Sequence, residues 1–185
     1  MSFELALPVG AADHVLGPAQ APVTVVEYGD FECPNCKQAA PAVKIMLARF
    51  AGRVRFVYRH FPLEGEHPRM HPHALQAALA AEAAGAQAKF WPMHDLLFKN
   101  QRALKLPQLR RYAQQLDLDM ARYDAEIVDE RSLQRVREHI ASGERSDVRG
   151  TPGFFINGVV QDVSFGMEHL LEGVEAALRG RMIRL

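Results

Sequence analysis

The chain has 185 residues, is 48% hydrophobic, and sets 22 Lys and Arg against 22 Asp and Glu. That length holds one domain, or one domain with an insertion, and the apolar share is enough for a packed core. Zero formal net charge gives no electrostatic ground for nucleic acid or an anionic membrane as a partner.

No run approaches the roughly 18 apolar residues that span a bilayer. The start, Met1-Ser2-Phe3-Glu4-Leu5, lacks the basic and apolar stretches of a secretory signal. A cytoplasmic location is expected; an exported mature form with an added Met1 reads the same way. Two cysteines are too few for a disulfide-stapled scaffold, so their meaning is local and chemical.

Residues 1–21 read as an N-terminal arm punctuated by Pro8, Gly10, Gly17 and Pro18. Val23 to Tyr28 is short, β-branched and nearly all apolar, which suits a central strand buried on both faces. Gly29-Asp30 then loosens the chain. A helix is expected from Pro34, since proline is tolerated at a first helical position. Val43, Met46, Leu47 and Phe50 make its apolar stripe, Pro41 kinks it, and Gly52 ends it. Val54, Phe56 and Tyr58 alternate with Arg55, Val57 and Arg59 as a second strand.

From residue 66 to 144 no strand pattern is seen. Helical stripes run from Ala74 to Ala84, Phe90 to Asn100, Pro107 to Leu116 and Ser132 to Ile140. Phe154-Phe155-Ile156, Asn157-Gly158 and Val159-Val160 then read as a hairpin, because Asn-Gly favours a type I′ turn. Leu170, Leu171, Val174 and Leu178 mark a last amphipathic helix. The order divides the chain into an arm (1–21), an α/β domain in two pieces (22–65 and 145–185), and a helical insertion (66–144).

Cys33-Pro34-Asn35-Cys36 is a C-x-x-C that follows a strand and opens a helix, the context in which the spacing signals redox chemistry. Residues three apart on a helix have Cβ atoms roughly 5–6 Å apart, and modest adjustment brings them to disulfide geometry. Cys33 falls at the helix N-cap, where free N–H groups and the helix dipole favour a thiolate. A thiol pKa of about 6–7.5 follows. Cys33 is then the attacking residue and Cys36, one turn in, the resolving one. Two other readings stand beside this one: two unrelated cysteines, or half of a zinc site completed by His67, His71 or His73.

The run Glu27-Tyr28-Gly29-Asp30-Phe31-Glu32-Cys33-Pro34-Asn35-Cys36 resembles the DsbA-like branch of the thioredoxin superfamily. So do Val148-Arg149-Gly150-Thr151-Pro152-Gly153-Phe154-Phe155-Ile156-Asn157-Gly158, Arg59-His60-Phe61-Pro62-Leu63 and the Lys89-Phe90-Trp91 region. The resemblance implies a thioredoxin-like α/β fold with an inserted all-helical domain. It also implies a cis peptide at Thr151-Pro152 facing the cysteines; physics alone does not, since about 5–6% of X–Pro bonds are cis. Gly150, Thr151 and Pro152 would then offer backbone to an extended substrate segment. Glu27, six residues before Cys33, matches the family's buried acid and would exchange a proton with Cys36. Pro34-Asn35 departs from DsbA itself, which has histidine at the second place, so a less oxidising couple is expected. Thr151 replaces the valine of DsbA.

The leading reading is a thiol–disulfide oxidoreductase acting on protein or peptide thiols and disulfides, recycled by a thiol system such as glutathione or thioredoxin. The alternatives are a glutathione-coupled reductase of small substrates and a redox-sensing or zinc-binding module. No cofactor is expected: a zinc site usually needs four ligands and no second C-x-x-C exists, and nucleotide binding is unsupported, since the chain has no P-loop and no G-x-G-x-x-G. Nothing resembles an added dimerisation domain, so a monomer is expected and an isomerase is not.

Overall fold

The computed structural model describes residues 4–63 and 70–180. In chain order the elements are β1 (His14–Leu16), β2 (Val23–Gly29), α1 (Pro34–Arg49), β3 (Val54–His60), α2 (Ala74–Gly85), α3 (Phe90–Lys99), α4 (Leu106–Gln115), α5 (Met120–Glu126), α6 (Glu130–Arg145), β4 (Gly153–Ile156), β5 (Val159–Gln161) and α7 (Glu168–Leu178). They gather into two compact units. One comprises Met1–Gly29, Gln38–Arg59 and Ala141–Leu185; the other comprises Asp30–Lys37 and His60–Ile140. The cysteine pair thus belongs to the mainly helical unit, together with the first turn of α1.

The first unit is built on a five-stranded sheet in the order β1-β3-β2-β4-β5. β1 pairs antiparallel with β3, setting His14 opposite Tyr58. β4 lies antiparallel to β2, with Glu27 opposite Phe154 and Tyr28 opposite Gly153. The central strands are buried on both faces, as their unbroken apolar character dictates: Val23, Val25, Val26, Tyr28, Val57 and Tyr58 are all at most 1% exposed. Leu170 and Val174 of α7 cover the β2–β4–β5 side. The β4–β5 hairpin turns through Asn157 and Gly158 with φ of +48° and +85°, the left-handed pair of a type I′ turn.

Two features of this unit differ from the sequence reading. The arm expected over residues 1–21 contains β1, too short to show a period and formed because β3 supplies its partner. The alternation in β3 does not send Arg59 outward. Arg59 is buried, and its guanidinium takes Asp13 in a bidentate pair at 2.8 and 3.0 Å. It also donates to the Leu7 and Pro8 carbonyls at 2.9 and 3.1 Å and to the Tyr28 hydroxyl at 3.0 Å. The chain ahead of β1 is held further by Leu5 N–H to the Gly158 carbonyl, 2.7 Å, and Ala6 N–H to Ser146 Oγ, 2.9 Å.

In the helical unit, α2 packs against α3, α4 and α5. Ala77, Ala80, Ala81, Ala83 and Ala84 are fully buried, and such small side chains let helices approach closely. Glu82, on the same helix, is buried with His60 Nε2 at 2.8 Å and Arg135 at 3.3 Å. α5 is an addition to the expected helices. It has 7 residues, too few for a legible stripe, and starts at Asp119, whose carboxylate accepts from the N–H groups of Ala121 and Arg122. α6 is longer than the stripe from Ser132 to Ile140 suggested.

Candidate active site

Gly29 is where β2 must leave the sheet. A Cβ there would lie 2.5 Å from the Tyr58 ring, so only glycine fits. Asp30 follows, fully buried and tied into the turn that leads to the cysteines. Its Oδ1 accepts from Glu32 N–H at 2.6 Å, and its Oδ2 accepts from Leu63 N–H at 2.9 Å. His71 Nδ1 lies 2.8 Å from the same Oδ2, without the alignment of a hydrogen bond. The Asp30 carbonyl accepts from Cys33 N–H at 3.1 Å, closing the turn.

α1 begins at Pro34, and the Cys33 carbonyl accepts from Lys37 N–H at 3.2 Å, so Cys33 sits at the helix entrance. Both cysteines are free thiols. Cys36 is fully enclosed, whereas Cys33 keeps 5% of its surface open and Pro34 and Asn35 are exposed. The Asp30 N–H points at Cys36 Sγ from 3.5 Å. This donor stabilises negative charge on the enclosed sulfur more than on a neutral thiol.

Two further anchors hold the turn. Gln101, between α3 and α4, donates its amide to the carbonyls of Phe31 and Cys33 at 2.9 and 2.8 Å. Phe31 is itself buried, its ring 5.0 Å from Phe98 and 5.7 Å from His94. Glu32 is engaged by His73 through Nδ1 at 2.9 Å and the backbone N–H at 2.6 Å.

Burial pushes the Asp30 carboxyl above its ordinary value, and the nearby Cys33 adds to the rise. The N–H groups of Leu63 and Glu32 and the His71 ring oppose it.

Of the residues singled out in the sequence, Cys33, Pro34, Asn35 and Cys36 share one turn of the helical unit. Glu27 and the Gly150-Thr151-Pro152 loop belong to the sheet unit. There Glu27 is buried on β2, cross-strand from Phe154 and so close in register to Pro152. The Thr151–Pro152 peptide is cis. His71 and His73 face Asp30 and Glu32; His67 lies outside the described residues. Asp30 and Gln101 had no place in the sequence-based site, and His71 entered it only as a candidate zinc ligand. Asp30 was read as a loosening residue of the turn, and Gln101 lies in a segment without a motif.

The strand order, the C-x-x-C at a helix entrance and the cis Thr151–Pro152 peptide are the parts of a thioredoxin-like fold with a helical insertion. The chain belongs to the thioredoxin family, whose profile, described as Thioredoxin, matches residues 10–176. Its fold is similar to that of a thioredoxin-like oxidoreductase from Silicibacter pomeroyi, with 26% identity, 92% of this chain and 94% of that one covered, and a TM-score of 0.80. It is similar also to BdbD from Bacillus subtilis, at 24% identity, 91% and 94% coverage and a TM-score of 0.79. For α-DsbA1 of Wolbachia pipientis the values are 19%, 98% and 98%, and 0.81.

Among curated sequences the chain is 47% identical over 183 residues to the Na(+)/H(+) antiporter NhaA 1 of Salinispora arenicola, covering 98% of this chain and 27% of that protein. With the protein of the same name from Mycolicibacterium vanbaalenii the identity is 39%, covering 90% and 27%. The chain therefore spans about a quarter of the length of these relatives, at 27% of each. Among the described residues, no helix is long and apolar enough to cross a membrane.

Proposed function

We propose that this chain exchanges disulfides with protein or peptide substrates through the Cys33–Cys36 dithiol. The observation that carries the reading is the pair of free thiols at the entrance of α1, the inner one facing the Asp30 N–H. The Cys33 thiolate attacks a substrate disulfide: a Cys33–substrate bond forms, and the other substrate sulfur leaves as a thiolate and takes up a proton. Cys36, deprotonated, then attacks Cys33 Sγ. The Cys33–Cys36 bond forms, the substrate bond breaks, and the substrate leaves as a dithiol. Run backwards, the same steps oxidise a substrate dithiol. Glu27 accepts and returns the Cys36 proton, and the backbone beside Thr151 and Pro152 takes the substrate strand.

The alternative of a zinc module loses support because His71 and His73 are engaged by carboxylates of their own unit. The names of the longer relatives state ion antiport; for this chain we propose thiol exchange.

Insulin reduction by the purified protein tests the reading, with a glutathione-dependent assay on small disulfides run beside it. Cys33→Ser should abolish turnover, and Cys36→Ser should accumulate a mixed disulfide visible by mass spectrometry. Unchanged turnover in Cys33→Ser would sink the proposal. Activity only in the glutathione assay would move it to small substrates.

A further inference from the structure

Two backbone donors end on the Asp30 carboxylate, one on each oxygen. The N–H groups of Glu32 and Leu63 end on its two oxygens at 2.6 and 2.9 Å, and the His71 ring stands 2.8 Å away. A carboxylate accepts both N–H bonds, one on each oxygen, whereas a protonated carboxyl would lose one acceptor site to its own hydrogen; the His71 ring lies beside Oδ2 without hydrogen-bond alignment. The same residue closes the turn onto Cys33 through its carbonyl and faces Cys36 through its N–H. The other titratable groups of this turn are Glu32, which is occupied by His73, and the two cysteines themselves. Asp30 therefore brings a negative charge, enclosed away from water, to the place where the attacking sulfur must become negative.

Two effects meet at Cys33 with opposite signs. The helix entrance favours the thiolate by about 0.3–1 kcal/mol, and up to ~2 in favourable sites. A like charge in a low-dielectric surrounding opposes it and is weakly screened there. Stabilising the thiolate stabilises the reduced form and makes a couple more oxidising. A charge that opposes the thiolate does the reverse.

We propose that Asp30 is a positioning residue that biases the Cys33–Cys36 couple toward its disulfide form, by holding a buried negative charge beneath the turn that carries the attacking sulfur. It touches no substrate and acts through Cys33. The inference rests on the thiol-exchange reading and deepens it: the direction in which the protein runs depends on this carboxylate as well as on the Pro34-Asn35 dipeptide.

The test replaces the charge by a neutral group of similar size, Asp30→Asn. Asparagine sets its amide hydrogens against Leu63 N–H, so Asp30→Ser is made as a second neutral variant that keeps an acceptor for Glu32 N–H. Retention of fold is checked by circular dichroism. Two quantities are then read: the pH profile of Cys33 alkylation by iodoacetamide, and the equilibrium of the dithiol with glutathione. The expected result is a Cys33 midpoint lower by about half a unit. Alkylation below the midpoint is then about threefold faster, and the glutathione equilibrium moves toward the dithiol by up to the same factor.

A residue that only braced the turn would act oppositely, since a loosened turn takes N–H donors away from sulfur and raises the midpoint. A midpoint that stays or rises in a folded neutral variant overturns the proposal. If the parent protein shows no exchange activity, the functional reading fails, and the alkylation profiles still decide the role of Asp30 beside Cys33.

Discussion

Two buried carboxylates, Glu27 and Asp30, carry different proposed roles. Glu27 sits in the sheet unit on β2, where its proposed part is to receive the Cys36 proton. Glu27→Gln should leave the attack of Cys33 unchanged and slow the resolution of the mixed disulfide, by about 10²–10⁴-fold for loss of one positioned proton acceptor. Rapid-quench trapping of the intermediate reads that split, and resolution at the parent rate removes the role. Asp30 gives a pH signature of its own. Burial raises its folded-state pKa above the unfolded value. Its contribution to stability is therefore fully present below the unfolded value, near 3.8, and is lost as pH rises through the raised folded value. Urea unfolding between pH 7 and pH 4 should show the parent gaining stability relative to Asp30→Asn as the pH falls. A constant gap, or one that narrows on acidification, contradicts this.

The elements most legible in the sequence are those with a long period or a strong turn. The apolar run of β2, the stripe of α1 and the Asn157-Gly158 hairpin each satisfy local rules that need no tertiary partner to be seen. β1 and α5 were illegible for the opposite reason. Three residues and seven residues carry no period, and each depends on a contact made elsewhere, β1 on β3 and α5 on the helices beside it. The site divides in the same way. C-x-x-C announces itself by spacing, whereas the Asp30 and Gln101 contacts join segments far apart in sequence that only folding brings together. Arg59 shows that alternation alone does not fix exposure: its charge is turned inward because Asp13 meets it there. Removing one partner of such a pair leaves a buried charge unpaired, so Asp13→Ala should cost about 3–5 kcal/mol in urea unfolding. A loss below about 1 kcal/mol, the level of a surface pair, would show the pair to be solvated.

For the molecule as a whole, zero formal net charge gives no ground for long-range attraction, and the recognition proposed above is by backbone pairing. Exchange with an uncharged peptide disulfide should accordingly change less than twofold between about 0.05 and 0.5 M salt, a range over which charge-steered association falls steeply. The chain ahead of β1 laces one margin of the sheet unit to its interior. Leu5 closes on Gly158 at the hairpin, Ala6 on Ser146, and the Leu7 and Pro8 carbonyls on Arg59. A chain clipped after Pro8 would bare the rim of β5 and strip the Arg59 guanidinium of two acceptors. A bared rim of that kind recruits strands from its neighbours, so the tendency of this chain to associate would depend on residues 4–8, well away from any sulfur.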